Sequence, residues 1–377
     1  MTNTSEYELT GGHLSLNFDA TEYYLNSILG IAERVNEKRK FLFASKVLGR
    51  YFPIKPEQFF NVSYQLASLA LPHIKGSCLT LGIDEAAITL GASIHEHLIE
   101  NSIDSYHIST TRYPNGEPII CHFKEPHSHG ADHYLLTPEN GSDVLNKDTL
   151  VLVDDEISTG TTLFNLIKAL LSAGLTVRKI VIITLTDWSS DRTTQLCAND
   201  AQTAHLKVKN ISLVSGSWSW NPVGLEQPAQ PQMASQKDTT VPILTPKTNN
   251  YCRDGYRVHS FKPPAFNSLL GDKVLVIATG EFAWQPLLFA KSLIKKGHDV
   301  EFISATISPI NPNSAIKTKI EFRSLYDPSS TMYLYNLDLN KYSNMLICTE
   351  QTTDLVDVHL IQFLRSAGNI VEVINFE

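Results

Sequence analysis

The stretch LVLVDDEISTGTT, residues 150–162, joins the pattern of a buried strand to the start of a helix. Its apolar run ends in two adjacent carboxylates, Asp154 and Asp155. A short hydroxyl-rich loop follows, turns at Gly160 and opens the next helix. Loop amides and a helix N-terminus bind phosphate, and carboxylates accept hydrogen bonds from sugar hydroxyls. The stretch therefore predicts a site that holds a phosphorylated sugar from two sides, with phosphate contacts from Ser158, Thr159, Gly160, Thr161 and Thr162.

A second interpretation of this stretch is a doubly wound βα unit with an acidic strand end and no sugar ligand. We favour the sugar-phosphate interpretation, because the acids, the loop and the helix occur in that order after a buried-strand run. A P-loop is excluded, since no GxxxxGK(S/T) string occurs in the sequence.

Short β-rich runs alternate with helical runs between residues 77 and 214, and this alternation predicts an α/β fold with a mostly parallel sheet. Ligands of such sheets bind at the carboxyl ends of the strands, where Asp154 and Asp155 are expected. The helix after the loop should bury one face, formed by Leu163, Ile167, Leu170 and Leu171. The predicted strands are 79–83, 106–110, 149–153, 177–185 and 206–214, and a further helix is predicted over 86–100.

A change of composition divides the chain. Residues 1–215 are predicted to form one domain, 216–265 a Pro/Ser/Gln-rich linker, and 266–377 a smaller α/β domain. Trp218 and Trp220 are expected to dock onto a domain. In the second domain we predict strands at 273–278, 299–304, 331–335, 344–348 and 370–376, and helices at 284–296 and 355–367, the latter burying Val356, Leu360, Phe363 and Leu364.

The second domain echoes the first. LLSAG at 170–174 matches LRSAG at 364–368, an offset of 194, and HISTTRYP at 107–114 resembles EFISATISP at 301–309. We interpret the second domain as a degenerate copy of the first; convergence of two βα units on similar strings is the alternative. At an offset of 194, Asp154 and Asp155 fall on Cys348 and Thr349 and Gly160 falls on Asp354, so we expect the copy to lack both acids and the glycine.

Bulk properties exclude several classes of protein. A net charge of −8 argues against a general nucleic-acid binder. No apolar stretch approaches the roughly 18 residues that cross a bilayer, and no secretion signal is visible near the N-terminus. The five cysteines are scattered and never in CxxC spacing, which is typical of reduced thiols. We expect a cytoplasmic protein without a membrane partner.

Two further segments are candidates for the same site. The turn 82–87, GIDEAA, leads from a predicted strand into its helix and should reach the sheet edge where Asp154 lies, with Asp84, Glu85 and Ala86 towards the ligand. Helix N-capping is the alternative role for Glu85. Arg112, in STTRYP, could grip a polyanion with two parallel hydrogen bonds.

The DDEISTGTT string resembles the 5-phosphoribosyl-1-pyrophosphate (PRPP) motif of type I phosphoribosyltransferases. The resemblance implies that Asp154 and Asp155 bind the ribose 2′- and 3′-hydroxyls and that residues 158–162 hold the 5′-phosphate. It also implies that the turn 82–87 is the pyrophosphate loop. Position 161 is often glycine in that family and is Thr here.

The string FKEPHSHG, residues 123–130, resembles the mobile catalytic loop of orotate phosphoribosyltransferases. Lys124, Glu125, His129 and Gly130 match by position, whereas His127 stands where that family usually has Lys and Phe123 where it has Arg. Two alternatives remain open for this segment. It could be a solvated loop, or it could form a zinc site from His127, His129, His133 and Asp132.

Several strings together resemble one subgroup, the phosphoribosyltransferases of tellurium-resistance gene clusters that carry a C-terminal TRSP domain. They are KRKFLFASKVLGR, GIDEAAITLG, STTRYP, KEPHSHG, LVDDEISTGTT and WSWNP. The string that gives the TRSP domain its name appears as TISP at 306–309, without the arginine. The basic and apolar segment 38–50 matches the N-terminal hood that closes over the acceptor in this class; an amphipathic cover with solvated charges is the alternative.

The resemblance implies an Mg²⁺-dependent phosphoribosyltransferase that uses PRPP to ribosylate an acceptor which the sequence does not identify. Asp154, Asp155, Lys124, His129 and Arg112 are the expected catalytic residues, and Asp154 and Asp155 the expected metal ligands. A homodimer and operon-encoded partner enzymes are possible consequences of the resemblance. Two other functions stay open: a non-catalytic regulator that binds PRPP or a nucleotide, and phosphorolysis or hydrolysis of a nucleotide in salvage.

Overall fold

The computed structural model describes residues 2–34, 40–114, 116–124, 132–138, 141–223, 250–265 and 270–376. Its helices are α1 (Glu22–Ile28), α2 (Pro56–Ala70), α3 (Ala87–Glu100), α4 (Thr161–Ser172), α5 (Arg192–Asn199), α6 (Tyr251–Asp254), α7 (Trp284–Lys295) and α8 (Val358–Arg365). Its strands are β1 (Asn3–Leu9), β2 (Gly12–Phe18), β3 (Leu29–Arg34), β4 (Phe41–Ser45), β5 (Cys78–Gly82), β6 (Ser105–Ser109), β7 (Ile119–Lys124), β8 (Asp132–Leu136), β9 (Thr149–Val153), β10 (Glu156–Ile157), β11 (Lys179–Asp187), β12 (Lys207–Pro222), β13 (Lys273–Ala278), β14 (Asp299–Ser304), β15 (Ile310–Asn311), β16 (Lys319–Arg323), β17 (Thr331–Tyr335), β18 (Asn344–Thr349) and β19 (Ile370–Asn375).

A large sheet forms the centre of the first domain, with strand order β1-β2-β12-β11-β9-β5-β6. The strands from β6 to β12 run parallel, and β1 and β2 add an antiparallel edge. Alternate residues of β9 pack into separate cores on the two faces, one with α3 and the other with α4. The continuous apolar run of residues 149–153 is explained by this burial on both faces. The predicted α/β class and parallel sheet are confirmed.

Strand β12 is longer than predicted, because it serves two neighbours. Its first part runs parallel to β11, and its second part, from Gly216 to Pro222, pairs antiparallel with β2. Residues 216–222 are therefore sheet rather than linker. Trp218 and Trp220 pack against Phe41, with ring centroids 5.1 and 5.4 Å away, so the expectation that they dock onto a domain is confirmed.

The other described part of the predicted linker, residues 250–265, is also built into the fold. Cys252 and Arg253 of the short helix α6 are buried, and Tyr256 exchanges backbone hydrogen bonds of 2.8 Å with His107 of β6. A sequence rich in breakers predicts absence of regular structure, but it does not predict whether a segment packs on the core. Residues 224–249 lie outside the described ranges.

A smaller, fully parallel sheet of order β14-β13-β18-β19 forms the second domain. Helix α7 packs on one face and α8 on the other. Leu360 and Leu364 of α8 are buried as predicted, whereas Phe363 is 48% exposed. Phe363 precedes Leu364 by one position and so projects from a different side of the helix.

The second sheet repeats the topology of the first. In the first domain the order β6-β5-β9-β11 has a hairpin, β7–β8, inserted in the chain between β6 and β9. The second domain has the same order in β14-β13-β18-β19, with the hairpin β16–β17 between β14 and β18. The interpretation of the second domain as a degenerate copy agrees with this shared topology.

The strand register corrects the offset between the two copies. Val151 and Val153 of β9 face the same core as Leu346 and Cys348 of β18, so Val153 is matched by Cys348, an offset of 195. An offset of 194 would turn every side chain to the opposite face. Asp154 is therefore matched by Thr349 and Asp155 by Glu350. The expectation that the copy lost both acids was wrong, because one acidic position is kept as a glutamate.

The two domains share one hydrophobic core, in which α2 and α3 of the first domain meet α7 of the second. Trp284 of α7 lies 6.2 Å from the Phe60 ring of α2. Strand β15, from the second domain, also pairs with β3 near the N-terminus. In the described part of the chain, no helix combines the length and the apolar character needed to span a bilayer.

Candidate functional site

The carboxyl ends of β5, β6 and β9 meet at one edge of the first sheet, and a cavity of about 260 Å³ opens there. Its size lies close to the lower end, about 300 Å³, of ordinary ligand pockets. The residues that line it are Arg34, Leu42, Tyr51, Ile83, Asp84, Glu85, Ala86, Arg112, Asp154, Asp155, Glu156, Ile157, Ser158, Thr159, Gly160, Thr162, Leu163, Trp218 and Ser308.

Asp154 and Asp155 follow β9 directly and both line the cavity. The N–H of Asp154 donates to the carbonyl of Ile183 at 3.1 Å, which holds the strand end against β11. Oδ1 of Asp154 accepts the N–H of Asp155 at 2.9 Å, and Oδ1 of Asp155 accepts the N–H of Glu156 at 3.0 Å. Each carboxylate is thus fixed on the turn by a main-chain hydrogen bond.

The loop that the sequence predicts to bind phosphate, residues 158–162 (called the phosphate loop), ends in the first turn of α4, whose N-cap is Gly160. Gly160 has φ 73°, and a Cβ there would lie 2.4 Å from Oγ1 of Thr193, so only glycine fits without rearrangement. Trp218 donates from Nε1 to the carbonyl of Ser158 at 3.3 Å. Ser158, Thr159, Gly160 and Thr162 line the cavity, whereas Thr161 is not among the lining residues.

The turn 82–87, called the cavity turn here, contributes residues 83–86 to the cavity wall. Its Asp84–Glu85 peptide bond is cis, and the N–H of Asp84 donates to Oγ1 of Thr110 at 2.8 Å. The Glu85 carboxylate does not cap α3, which was the alternative role. It accepts the N–H of Ile307 at 2.9 Å and lies 3.3 Å from a nitrogen of Arg50. Arg50 also donates to the Glu85 carbonyl, so the last residue of the basic segment 38–50 is bound to the cavity turn.

Arg112 and Asp84 form a buried ion pair on the cavity wall, with Nε and Oδ2 2.8 Å apart. Burial raises the pKa of Asp84 well above its usual range, and the nearby Glu281 raises it further, while Arg112 opposes the rise. The backbone N–H of Arg112 donates to Oε1 of Glu281, a residue of the second domain, at 2.7 Å. The Arg112 side chain can therefore attract an anion into the cavity, and the raised pKa lets the Asp84 carboxyl take up a proton when the anion binds.

The wall also contains five residues that were not among the predicted site residues, although Leu42 lies in the predicted hood, residues 38–50. They are Arg34, which ends β3, Leu42 in β4, Tyr51, Trp218 in β12, and Ser308 from the second domain. These positions are far apart along the chain and come together only in the folded structure. Trp218 was expected to dock onto a domain, but nothing in its sequence environment indicated a cavity wall.

The hairpin β7–β8 carries the other candidates. Lys124 ends β7; its side chain is 69% exposed, lies 3.9 Å from an Asp132 oxygen and is not among the residues that line the cavity. Glu125, His127, His129 and Gly130 lie outside the described residues. His133 is buried with its ring stacked on Phe123, 5.0 Å between centroids. Within the described ranges, no three His, Cys, Asp or Glu side chains come together as a metal site.

Solved structures with a similar fold include adenine phosphoribosyltransferases from Trypanosoma brucei and Rhodothermus marinus and an orotate phosphoribosyltransferase from Aeropyrum pernix. The T. brucei enzyme is 13% identical with a TM-score of 0.35, covering 55% of this chain and 86% of that one. The R. marinus enzyme is 15% identical with a TM-score of 0.33, covering 50% and 95%. The A. pernix enzyme is 15% identical with a TM-score of 0.29, covering 51% and 88%.

No curated protein matches the sequence significantly. Two family profiles do match it. One, described as phosphoribosyl transferase, covers residues 28–217, and the other, described as the TRSP domain C-terminal to PRTase_2, covers residues 255–364. Because the transferase profile covers residues 28–217, together with the site that surrounds Asp154 and Asp155, this chain belongs to the PRTase_2 family of phosphoribosyl transferases, enzymes of the glycosyltransferase class.

Proposed function

We propose that the enzyme transfers the 5-phosphoribosyl group of PRPP to an acceptor and releases pyrophosphate, with Mg²⁺ as cofactor. One observation carries the proposal. The two carboxylates after β9, the phosphate loop ahead of α4 and the Arg112 guanidinium surround a single cavity. A pentose with a phosphate at one end and a pyrophosphate at the other has the matching arrangement of hydroxyls and charges.

In this proposal the acceptor nucleophile attacks C1 of the ribose. The bond from C1 to the pyrophosphate oxygen breaks, its electron pair leaves with pyrophosphate, and the acceptor loses a proton. Positive charge develops on the sugar ring, where Asp154 and Asp155 stabilise it while accepting hydrogen bonds from the 2′- and 3′-hydroxyls. No covalent enzyme intermediate is needed, so catalysis comes from positioning and electrostatics.

The phosphate and pyrophosphate ends would be held by different walls. Amides of the phosphate loop, the hydroxyls of Ser158, Thr159 and Thr162 and the N-terminus of α4 suit the 5′-phosphate. Arg112 and the amides of the cavity turn suit pyrophosphate. Lys124 and His129 remain candidates for a loop that covers the leaving group, on the strength of the sequence resemblance alone.

The residues present fit Mg²⁺, which prefers carboxylate and phosphate oxygens and keeps several of its waters. Asp154 and Asp155 would hold the ion together with oxygens of PRPP, and the bound ion would neutralise charge on the leaving pyrophosphate. A fully protein-built cage is not required for such a site. Asp84 is less suited to this role, because it is buried against Arg112.

Sequence resemblance supports the cellular part of the proposal. It points to a nucleoside-like metabolite made in a tellurium-resistance or stress-response operon, with enzymes encoded nearby as partners. The five cysteines are free and buried, which supports a reducing, cytoplasmic location. A homodimer remains an expectation from the class.

The proposal is tested by mixing the purified full-length chain with PRPP, Mg²⁺ and a panel of acceptors. We expect pyrophosphate and a phosphoribosylated product, identified by mass spectrometry, with at least one acceptor. Absence of PRPP binding in calorimetry would refute the proposal. Release of free phosphoribose from a nucleotide without pyrophosphate would instead support salvage.

A further inference from the structure

Two glutamates link the domains in a reciprocal manner. Strand register matches Gly82 with Ala278, so Glu85 of the cavity turn is matched by Glu281 of the second domain. Glu85 accepts the backbone N–H of Ile307 at 2.9 Å, and Glu281 accepts that of Arg112 at 2.7 Å. Arg112 and Ile307 are themselves matched, since Ser109 of β6 corresponds to Ser304 of β14. Each copy thus uses the same glutamate to hold the same backbone position of the other.

The Glu281 carboxylate accepts hydrogen bonds from two neighbouring residues, Thr111 and Arg112, and so fixes the backbone that carries the Arg112 side chain. Besides the N–H of Arg112, its carboxylate accepts the hydroxyl hydrogen of Thr111. The side chain is buried, and Arg253 lies 3.8 Å from Oε2 as a source of positive charge. Burial raises the pKa of Glu281, whereas Arg253 and the N–H of Arg112 lower it.

The counter-charge is anchored in the second copy. Arg253 is 1% exposed and makes two contacts with Glu350, at 2.9 and 3.3 Å, and Tyr326 donates its hydroxyl to the same carboxylate. Glu350 is matched by Asp155 of the first copy. Asp155 thus contributes a carboxylate to the cavity, whereas its match Glu350 binds Arg253, the arginine that lies next to Glu281.

We propose that Glu281 is a positioning residue for Arg112, so that the second domain is an integral part of the transferase site. This inference depends on the proposed function, because Arg112 is expected to bind pyrophosphate. The main chain of Arg112 is held by Glu281 while its guanidinium lies 2.8 Å from Asp84 on the cavity wall. Removing the carboxylate frees the backbone at residues 111 and 112 and lets the guanidinium move. The acids and the phosphate loop, which bind the other end of the ligand, do not depend on this contact.

The experiment compares two ligands on the full-length protein in the presence of Mg²⁺. PRPP is expected to contact Arg112 and the cavity turn through its pyrophosphate. Ribose 5-phosphate lacks that group and is expected to contact only Asp154, Asp155 and the phosphate loop. For Glu281→Ala, which removes both hydrogen-bond acceptors, we expect PRPP to bind about tenfold more weakly, while affinity for ribose 5-phosphate stays within about twofold. Glu281→Asp keeps the negative charge on a shorter side chain. Its affinity for PRPP should lie between those of the wild type and Glu281→Ala.

Glu301→Ala is the matched control, since Glu301 is another buried carboxylate of the second domain and is bound by Lys341 and Tyr342 away from the cavity. It should lower the melting temperature without changing the ratio of the two affinities. The double variant Glu281→Ala with Arg112→Gln should bind PRPP no more weakly than Arg112→Gln alone. An unchanged affinity ratio in both Glu281 variants would overturn the inference while leaving the transferase proposal intact. Failure of the wild type to bind PRPP would overturn both.

Discussion

The carboxylate of Glu85 accepts the backbone N–H of Ile307 at 2.9 Å, a hydrogen bond that joins the cavity turn of the first domain to the second domain. Arg50 connects the same two segments. It lies 3.3 Å from the same carboxylate and donates to the carbonyl of Ala305. Both side chains are largely buried, so the charge of Arg50 has little access to water.

Replacing Glu85 with alanine leaves the guanidinium of Arg50 buried without its carboxylate. Breaking a buried pair in this way costs about 3 kcal/mol of unfolding free energy. Urea denaturation of the purified variant measures this loss. Lys55→Ala is the control, because Lys55 also bridges the domains, to Asp299 at 3.2 Å, but both partners are exposed. An exposed pair contributes at most about 1 kcal/mol, so equal losses in the two variants would contradict the prediction.

The double substitution Asp154→Asn with Asp155→Asn should abolish most transferase activity without unfolding the protein. Neutral amides no longer stabilise positive charge on the sugar, and we expect turnover to fall at least about a hundredfold, or about 3 kcal/mol. Pyrophosphate release at saturating PRPP measures this. Asp143→Asn, a change of the same type at an exposed position, should keep full activity. Unchanged turnover in the double variant would remove these carboxylates from the mechanism.

Much of the fold could be predicted from local patterns, because strands buried on both faces leave continuous apolar runs. The strand 149–153 and the strand 273–278 were predicted with their observed bounds. The phosphate loop could be predicted too, since Gly160 and the hydroxyls around it are adjacent in sequence. Which of its residues line the cavity could not be predicted, since Thr162 lines it and its neighbour Thr161 does not.

Features that depend on pairing between distant segments could not be predicted. Strand β12 extends to Pro222 because β2, near the N-terminus, supplies a second partner. The match between Asp155 and Glu350 was missed, since the similar strings LLSAG and LRSAG give an offset of 194 and the strands an offset of 195. Insertions between strand and helix change the offset, and only the burial of alternate side chains fixes it. Glu281 lies in the string GEF, residues 280–282, which resembles the TRSP family, but its contact with the backbone of Arg112 could not be predicted from that string.

Gly160→Ala should weaken binding at the phosphate end of the site. Alanine at φ 73° is strained by roughly 1–2 kcal/mol, and its Cβ would collide with Thr193. Relief of that collision has to move the phosphate loop, so affinity for ribose 5-phosphate should fall with stability. Calorimetric titration and thermal unfolding measure the two effects.

Gly174→Ala is a control matched in backbone strain. Gly174 has φ 102° at the end of α4, and a Cβ there meets nothing within 4 Å. This variant should lose stability to a similar extent while keeping ribose 5-phosphate affinity. If both glycine variants bind equally well, the close approach of Gly160 to Thr193 does not shape the loop.

The free energy of unfolding at acid pH should depend on His95, a buried residue of α3 that contacts the segment 250–265. Its Nε2 faces the carbonyl of Arg257 at 3.0 Å, so Nε2 carries the hydrogen and Nδ1 accepts from Ser105 at 2.7 Å. Burial lowers the pKa of His95 to about 4. The unfolded chain, with a pKa of about 6.5, therefore binds more protons between these values.

The stability that His95 provides is fully present above pH 6.5 and is lost as the pH falls towards 4, by about 3 kcal/mol in total. Burial raises the pKa of Glu96 to about 7 and that of Asp254 to about 6, and these acids act in the opposite direction over part of that window. We therefore compare the free energies of unfolding of wild type and His95→Gln, measured by urea denaturation at each pH from 7 to 4. Glutamine can still donate to Arg257 and accept from Ser105, so the variant should lose stability less steeply on acidification. His359→Gln, at an exposed position, should follow the wild type. Parallel curves for wild type and His95→Gln would mean that His95 keeps an ordinary pKa in the fold.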